Sequence, residues 1–319
     1  MSFVRKLLGR QTDKADETSF TSPEAKAPET TATSIPAESR SAAGTTEPLA
    51  QEGQGRSTMS RAKGLRVGCA SDVGQLRDHN EDTLIAFRGT HLGDDSSDPF
   101  GFFVVSDGMG GHRAGEVASS LAARLVSHDV LRRVYLPYLL NRTPDAASAS
   151  LTEILKDAVQ NANDQVHQQV PGGGTTLTCA LILGRRAYIA HVGDSRAYLL
   201  TKYDIKQVTQ DHSYVSRLME LGELSPEEAA VHPQRHVLYR AIGQGDQLDI
   251  DTYHQPLPPG SRLLLCSDGL SGMVSEDEIG RIIASAATPQ QACERLLEAA
   301  NDAGGPDNIT AVLIETPPD

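Results

Sequence analysis

Three aspartates stand beside glycines at the ends of strand-like apolar runs, where their carboxylates could hold a metal ion. Asp107 follows the apolar residues 102–105 in FGFFVVSDGMGGH. Asp268 follows a second apolar run in RLLLCSDGLSG, and Asp307 precedes a third in GGPDNITAVLIE. One Asp-Gly pair is usually only a turn, but the repeat of Ser-Asp-Gly after two distant strands favours a site. Carboxylate and backbone carbonyl oxygens are the ligands that Mg²⁺ and Mn²⁺ prefer, so the sequence predicts a site for such ions.

The histidines and cysteines do not predict a zinc site. The chain has 10 histidines and 4 cysteines, and none of them forms a Cys-x-x-Cys or His-Glu-x-x-His motif. His232 and His236 are four residues apart, but Pro233 interrupts a continuous helix face there, so we expect surface residues rather than ligands. The metal site is therefore expected to be built from oxygen ligands.

A cluster of polar residues precedes another predicted strand, residues 83–87. Arg77 lies four residues before the acidic pair Glu81 and Asp82 in SDVGQLRDHNED. Charged loops are usually only solvated, but this one adjoins strands that already carry carboxylates at their ends. We therefore predict that this loop contributes to the site.

The elements that must position these residues are predominantly antiparallel strands and amphipathic helices. The predicted strands at 175–183, 187–192 and 196–201 are joined by the links Gly184-Arg185 and Gly193-Asp194-Ser195, which are too short for a parallel crossover, so we expect them to pair as an antiparallel meander. Apolar spacing predicts helices at 113–133, 148–169, 276–285 and 289–301, and further strands at 65–71, 247–253, 262–267 and 308–315. Residues 210–245 are predicted to form an irregular insertion that carries substrate contacts. The fold class is therefore α+β.

Composition divides the chain into two parts. Between residues 12 and 60 large apolar side chains are rare, so residues 1–63 are predicted to be a disordered tail. Residues 1–10 could form a short amphipathic helix, although a frayed terminus is the simpler alternative. Residues 64–319 have the apolar content of one folded domain.

Charge and apolar content narrow the class of protein. The formal net charge is −13, and it lies in the folded part, which argues against a nucleic-acid binder. No apolar run approaches the roughly 20 residues of a membrane span, and no secretory signal is evident. The four cysteines lie in predicted strands and a helix and are expected to be buried and unpaired. We therefore expect a cytoplasmic location.

With these residues assembled, the chain resembles the bacterial metal-dependent type 2C Ser/Thr protein phosphatases over residues 64–316. The resemblance rests on seven motifs in order: SDVGQLRDHNED, VVSDGMGGHRAGEVAS, GGTTLT, AHVGDSRAYLL, TQDHSYV with HPQRHVLYRAIG, LLLCSDGLSGMV and GGPDNITAV. It implies two antiparallel sheets packed face to face and flanked by helices.

The resemblance also implies roles for particular residues. Asp107 matches the carboxylate that bridges two metal ions, and the carbonyl of Gly108 a further ligand. Asp268 and Asp307 match ligands of the second ion. Two further matches are Glu81, which holds a metal-bound water, and Arg77, which binds the substrate phosphate. The implied cofactors are two Mn²⁺ or Mg²⁺ ions, which activate a water for direct attack on phosphoserine or phosphothreonine.

The sequence departs from the family pattern at two positions. Met109 stands where animal and plant members have a histidine, so that proton donor is missing; His112 is near in sequence, and metal-bound water is the preferred donor. Pro171 stands where the bacterial members have an aspartate for a third metal ion. A third site is therefore expected to be weak or absent unless Asp164 replaces that ligand.

The expected partners are phosphorylated proteins, including Ser/Thr kinases or their substrates, and the expected oligomeric state is a monomer. The resemblance indicates that GDSR (residues 193–196) and the pair Asp211-His212 are structural. A catalytically silent phosphatase-like sensor or scaffold is the alternative function. Such domains usually lose one of the aspartates, whereas this chain keeps all three.

Overall fold

The computed structural model describes residues 64–89, 99–110, 113–140, 150–202, 204–245 and 247–318. The predicted tail and its possible helix at 1–10 lie outside these residues. Within the described residues the chain forms eleven strands: β1 Arg66–Asp72, β2 Asp82–Gly89, β3 Phe100–Met109, β4 Gly174–Thr175, β5 Leu177–Leu183, β6 Arg186–Val192, β7 Arg196–Leu200, β8 Ile205–Gln207, β9 Asp251–Pro256, β10 Arg262–Cys266 and β11 Ile309–Glu315.

The strands form two antiparallel sheets. Sheet A has the order β1-β11-β10-β7-β8, and sheet B has the order β2-β3-β5-β6-β9, with β4 paired to the end of β3. Every paired strand in both sheets runs antiparallel to its neighbour. The α+β class and the antiparallel sandwich are confirmed.

Helices cover the outer faces of both sheets. The helix at residues 151–169 begins with a capping box: the Ser150 hydroxyl accepts from the backbone N–H of Glu153, whose carboxylate accepts from the backbone N–H of Ser150. A five-residue π-helical segment, residues 131–135, follows the first helix. The helices are α1 Arg113–Val130, α2 Leu136–Leu139, α3 Leu151–Gln169, α4 Tyr214–Glu220, α5 Pro226–Ala230, α6 Asp268–Ser271, α7 Glu276–Ser285 and α8 Pro289–Asp302.

Strand β3 is apolar at successive positions rather than at alternate ones. Phe103 and Val105 pack between the two sheets, whereas Phe102 and Val104 belong to the cluster that includes α1 and α3. A strand that is buried on both faces needs apolar residues at every position. The other helical layer, α7 and α8, packs on the outer face of sheet A. The described residues thus form four layers, in the order helix, sheet, sheet and helix. Each sheet packs against helices on one face and against the other sheet on the opposite face.

Three sequence predictions need correction. Strands β5 and β6 pair as expected, but β6 and β7 lie in different sheets, so the predicted meander is wrong there. The short link carries the chain from one sheet to the other, with Gly193 at φ +108°. Strand β9 begins at Asp251, later than predicted, and α1 ends at Val130 before the π-helical segment. Loop length alone cannot distinguish a hairpin from a change of sheet.

Candidate active site

Sheet B supplies two carboxylates at one end of adjacent strands. Asp82 begins β2 and lies directly opposite Asp107 near the end of β3. The backbone N–H of Asp107 donates to the Thr176 hydroxyl (2.9 Å), and the Thr175 hydroxyl donates to the Asp107 carbonyl (2.7 Å). These bonds fix the backbone at Asp107, so the end of β3 presents its carboxylate from a rigid element.

Sheet A supplies two more carboxylates in the same way. Asp268 follows the end of β10 as the first residue of α6, and Asp307 lies just before β11. Because β10 and β11 are antiparallel neighbours, the end of one and the start of the other meet at the same edge. A Cβ at Gly269 would collide with the carbonyl oxygen of Asn308, so the Asp-Gly pair permits this close approach of the two segments.

A buried serine joins the two sheets at this edge. The hydroxyl of Ser267, at the end of β10, donates to Oδ2 of Asp82 over 2.8 Å. The backbone N–H of Ser267 donates to the carbonyl of Thr310. The Ser-Asp-Gly motif therefore places a sheet-to-sheet hydrogen bond directly beside the Asp268 carboxylate.

The four carboxylates interact electrostatically. Burial raises the pKa of Asp107 well above its ordinary value, and the neighbouring charges of Asp82, Asp268 and Asp307 raise it further. Burial also raises the pKa of Asp82 to about 7, opposed by the hydrogen bond from Ser267. Such a cluster is costly to ionise without cations, and bound cations reverse this cost.

Arg77 is the positive group of this cluster. Its Nη2 atom donates to Oδ2 of Asp307 over 2.8 Å, and about half of its side chain is exposed. Partial burial opposes the guanidinium charge, but the carboxylates of Asp307, Glu81 and Asp107 raise the pKa of Arg77. The predicted phosphate-binding arginine therefore lies among the predicted metal ligands.

Glu81 lies in the cleft because its neighbours lack side chains. The backbone N–H of Gly108 donates to the Glu81 carbonyl (3.1 Å), and a Cβ at Gly108 would lie 2.6 Å from that oxygen. A Cβ at Gly115, in the first turn of α1, would collide with Oε2 of Glu81. The glycines of the motif thus make room for both the Glu81 carboxylate and the close packing of its backbone.

The donor set fits divalent cations in chemistry and charge. Its side-chain donors are carboxylates, as Mg²⁺ and Mn²⁺ prefer, and Oδ1 of Asp82 is buried without a hydrogen-bond partner among the described residues. As they stand, no three or more His, Cys, Asp or Glu side chains in that part of the chain have the geometry of a metal site. The Arg77–Asp307 ion pair occupies one of these carboxylates, so ion binding requires local rearrangement of side chains.

The carboxylates of Asp107, Asp268 and Asp307 form the floor of a cleft of about 1260 Å³. Its far wall is the flap, which we define as residues 210–245 and which contains α4 and α5. A backbone hydrogen bond from Tyr214 to Val237 (2.7 Å) closes the flap on itself, and the Arg196–Asp211 ion pair (2.7 Å) anchors its base to β7. The predicted insertion therefore lies over the site.

The structure also places the residues at which the sequence departs from the family. Met109 lines the cleft. Pro171 is exposed just after α3, and the Asp164 carboxylate accepts a hydrogen bond from Gln160 (2.7 Å) within that helix. Neither lines the cleft, while His112 lies outside the described residues.

Sequence reasoning missed two residues that line the cleft, Asp194 and His236, and assigned no separate role to Asp82, which lies opposite Asp107 on the paired strand. Asp82 was noted only as part of a charged loop; its signal was its place at the start of a strand, beside Glu81. Asp194 of GDSR lines the cleft, and burial raises its pKa well above the ordinary value, as does the charge of Asp268. His236 is mostly exposed, as predicted, but its Nδ1 lies 3.6 Å from Oδ2 of Asp268, so it belongs to the cleft.

Comparisons with known proteins agree with this geometry. The family model for protein phosphatase 2C matches residues 68–220. The serine/threonine phosphatase stp of Listeria monocytogenes is 38% identical over 245 residues, which are 77% of this chain and 93% of that protein.

Solved structures extend the match to the whole fold. The structure of the Mycobacterium tuberculosis serine/threonine phosphatase PstP/Ppp has a TM-score of 0.65 at 34% identity, covering 79% of this chain and 99% of that one. The catalytic domain of PstP in complex with two manganese ions has a TM-score of 0.63 at 33% identity, covering 79% and 97%.

Proposed function

The chain belongs to the protein phosphatase 2C family and is a metal-dependent Ser/Thr protein phosphatase, and on this premise we propose that Asp107, Asp268 and Asp307 hold its two divalent ions. The Gly108 carbonyl completes the proposed ligand set. Two Mn²⁺ or Mg²⁺ ions, when bound, supply Lewis acidity to the phosphoryl oxygens and to the attacking water. One observation carries the assignment: two sheets deliver these carboxylates to a single cleft floor.

Arg77 is the proposed phosphate-binding residue. Its guanidinium carries five N–H donors, of which one bonds Asp307, so others remain to form charge-assisted hydrogen bonds with phosphoryl oxygens. Its position among the carboxylates favours the charged form and supports this role.

Glu81 is proposed to hold a metal-bound water. The backbone of Glu81 is held by Asn308, whose side-chain oxygen accepts from its N–H (2.8 Å), and by the Ser119 hydroxyl (2.6 Å). Its carboxylate can therefore accept a hydrogen bond from water without loss of position.

The proposed assignment is tested with a phosphothreonine peptide and Mn²⁺. We expect Asp107→Asn to lower kcat by about a thousand-fold or more while the far-UV circular dichroism is unchanged, because an amide cannot replace a bridging carboxylate. Asp157→Asn, which removes an exposed carboxylate on α3, is the matched control. Turnover by Asp107→Asn at the wild-type rate would refute the metal assignment, and wild-type inactivity would favour the silent alternative.

Phosphorylated proteins are the substrates of this class, and we propose Ser/Thr kinases or their targets among them. Substrate trapping with an Asp268 variant tests this proposal, and the proposal fails if no phosphoprotein is retained above an unphosphorylated control.

The four described cysteines are free thiols, three of them buried, which supports a reducing compartment such as the cytoplasm. No described helix is long and apolar enough to cross a membrane.

We also propose that residues 64–319 form the phosphatase domain, with residues 1–63 as a tail, and that the protein is a monomer. The continuous packing of both sheets supports the domain boundary, since β1 begins at Arg66 and pairs with β11 near the other end of the chain. Light scattering on the full chain tests the oligomeric state, and a mass of two protomers would contradict it.

A further inference from the structure

The flap presents a mainly apolar wall to the cleft. The flap residues that line it include Val215, Met219, Ala229, Ala230, Val231 and Leu238, and no aspartate or glutamate of α4 or α5 lies among them. The charged or titratable flap residues that line the cleft are Asp211, Arg235 and His236. The chemistry of this wall therefore differs from that of the acidic floor.

Several of these apolar side chains remain open to solvent. Val231 is 77% exposed and Met219 36%, and Leu76, next to Arg77 in sequence, also lines the cleft and is 74% exposed. Large apolar side chains that line a concave surface and that the described residues leave exposed indicate a binding surface. An occupant of the cleft would cover them.

The size of the cleft indicates what the occupant is. Pockets for drug-sized ligands measure about 300–1,000 Å³, and this cleft is larger, so one phosphorylated side chain cannot fill it. A phosphorylated residue bound at Arg77 and the carboxylates must carry its flanking peptide out of the cleft along the flap. The apolar wall is thus continuous with the reacting site.

We propose that this wall selects substrates in which large apolar residues flank the phosphorylated serine or threonine. The proposal rests on the proposed function of the cleft floor and names its substrate class. Covering Val231 and Met219 with an apolar side chain removes apolar surface from water, whereas an acidic flank buries no apolar surface there. Specificity arises because apolar flanks are covered and polar flanks are not.

The test compares phosphothreonine peptides that differ only in their flanks: leucine, serine or aspartate. For the wild type we expect kcat/KM for the leucine peptide to exceed that for the serine peptide by about ten-fold, since one buried apolar side chain contributes that order of discrimination. In Met219→Ser/Val231→Ser the ratio should fall to about one, with the change in KM rather than kcat. Val231→Ser alone, at a mostly exposed position, should give part of the effect without affecting folding.

Leu136→Ser is the matched control, because Leu136 is also an exposed apolar residue (53%) but lies on α2 and does not line the cleft. It should keep the wild-type ratio. The proposal is overturned if the double variant keeps the ratio, if Leu136→Ser loses it equally, or if the aspartate peptide is preferred and Arg235→Ala abolishes that preference. Wild-type hydrolysis of p-nitrophenyl phosphate distinguishes failure of the specificity proposal from failure of the proposed function. Turnover of this substrate without any flank preference among the peptides refutes only the proposed role of the apolar wall. No turnover of any substrate refutes the proposed function.

Discussion

Replacement of His191 by glutamine tests how the base of the flap depends on pH. His191 lies on β6 and is fully buried; its Nε2 donates to the carbonyl of Gln210, where the flap begins (2.9 Å), and its Nδ1 lies 2.9 Å from the Thr178 hydroxyl. Burial, together with the neighbouring His212, lowers the pKa of His191 to about 3. The folded protein therefore requires the neutral imidazole.

The sign and size of the effect follow from linkage. The pKa of an unfolded histidine is about 6.5, so its contribution to stability is complete above that pH and is lost as the pH falls towards about 3. At about pH 5 the unfolded chain binds a proton that the folded chain does not, and each pKa unit corresponds to about 1.36 kcal/mol. The wild type should thus lose about 2 kcal/mol of unfolding free energy between pH 7.5 and 5 through His191.

Urea unfolding followed by circular dichroism measures this effect, since the chain has no tryptophan. We expect the stability difference between the wild type and His191→Gln to narrow by about 2 kcal/mol over this range. Nearby His212 and Asp251 titrate in both proteins, so their contributions largely cancel in the difference. His254→Gln, which removes an exposed histidine on β9, is the matched control. Parallel pH curves for the wild type and His191→Gln, or equal narrowing in the control, would refute the reasoning.

Three substitutions test other parts of the structure. Gly115→Ala should weaken Mn²⁺ binding by about ten-fold in calorimetry, because the new methyl group collides with the Glu81 carboxylate, and unchanged binding would contradict that contact. Arg196→Lys should lower the unfolding free energy by about 1–3 kcal/mol, since lysine cannot form the two-nitrogen contact with Asp211; an unchanged urea midpoint would contradict it. Phe102→Ala should cost about 3–5 kcal/mol in urea unfolding, and a loss below about 1 kcal/mol would show that the core collapses around the cavity.

The positions of the three aspartates could be predicted because each has a local signature. An apolar run followed by Ser-Asp-Gly predicts a buried strand, and both such strands occur, as β3 and β10, although β3 continues past Asp107 to Met109. The signal for the start of β11 just after Asp307 is also contained in the local sequence. Short-range pattern was enough to place these carboxylates at strand ends.

The division of strands between sheets was not predictable in the same way. The sequence of a three-residue link is similar whether the link closes a hairpin or carries the chain to the other sheet. The sheet to which β7 belongs is determined by its pairing with β10, which is distant in sequence. For the same reason the position of Asp82 could not be predicted, because it depends on pairing with Asp107 and on a hydrogen bond from Ser267 of the other sheet. Contacts between distant segments, rather than local propensity, determine both features.

The central claim is that carboxylates from both sheets hold two divalent ions at the floor of the cleft. Titration calorimetry of Mn²⁺ into the full chain tests it most directly, with Asp157→Asn as the control for loss of one carboxylate. We predict uptake of two ions per chain by the wild type and the control, and loss or at least about a hundred-fold weakening of uptake in Asp107→Asn. Equal uptake by Asp107→Asn and the wild type would contradict the account.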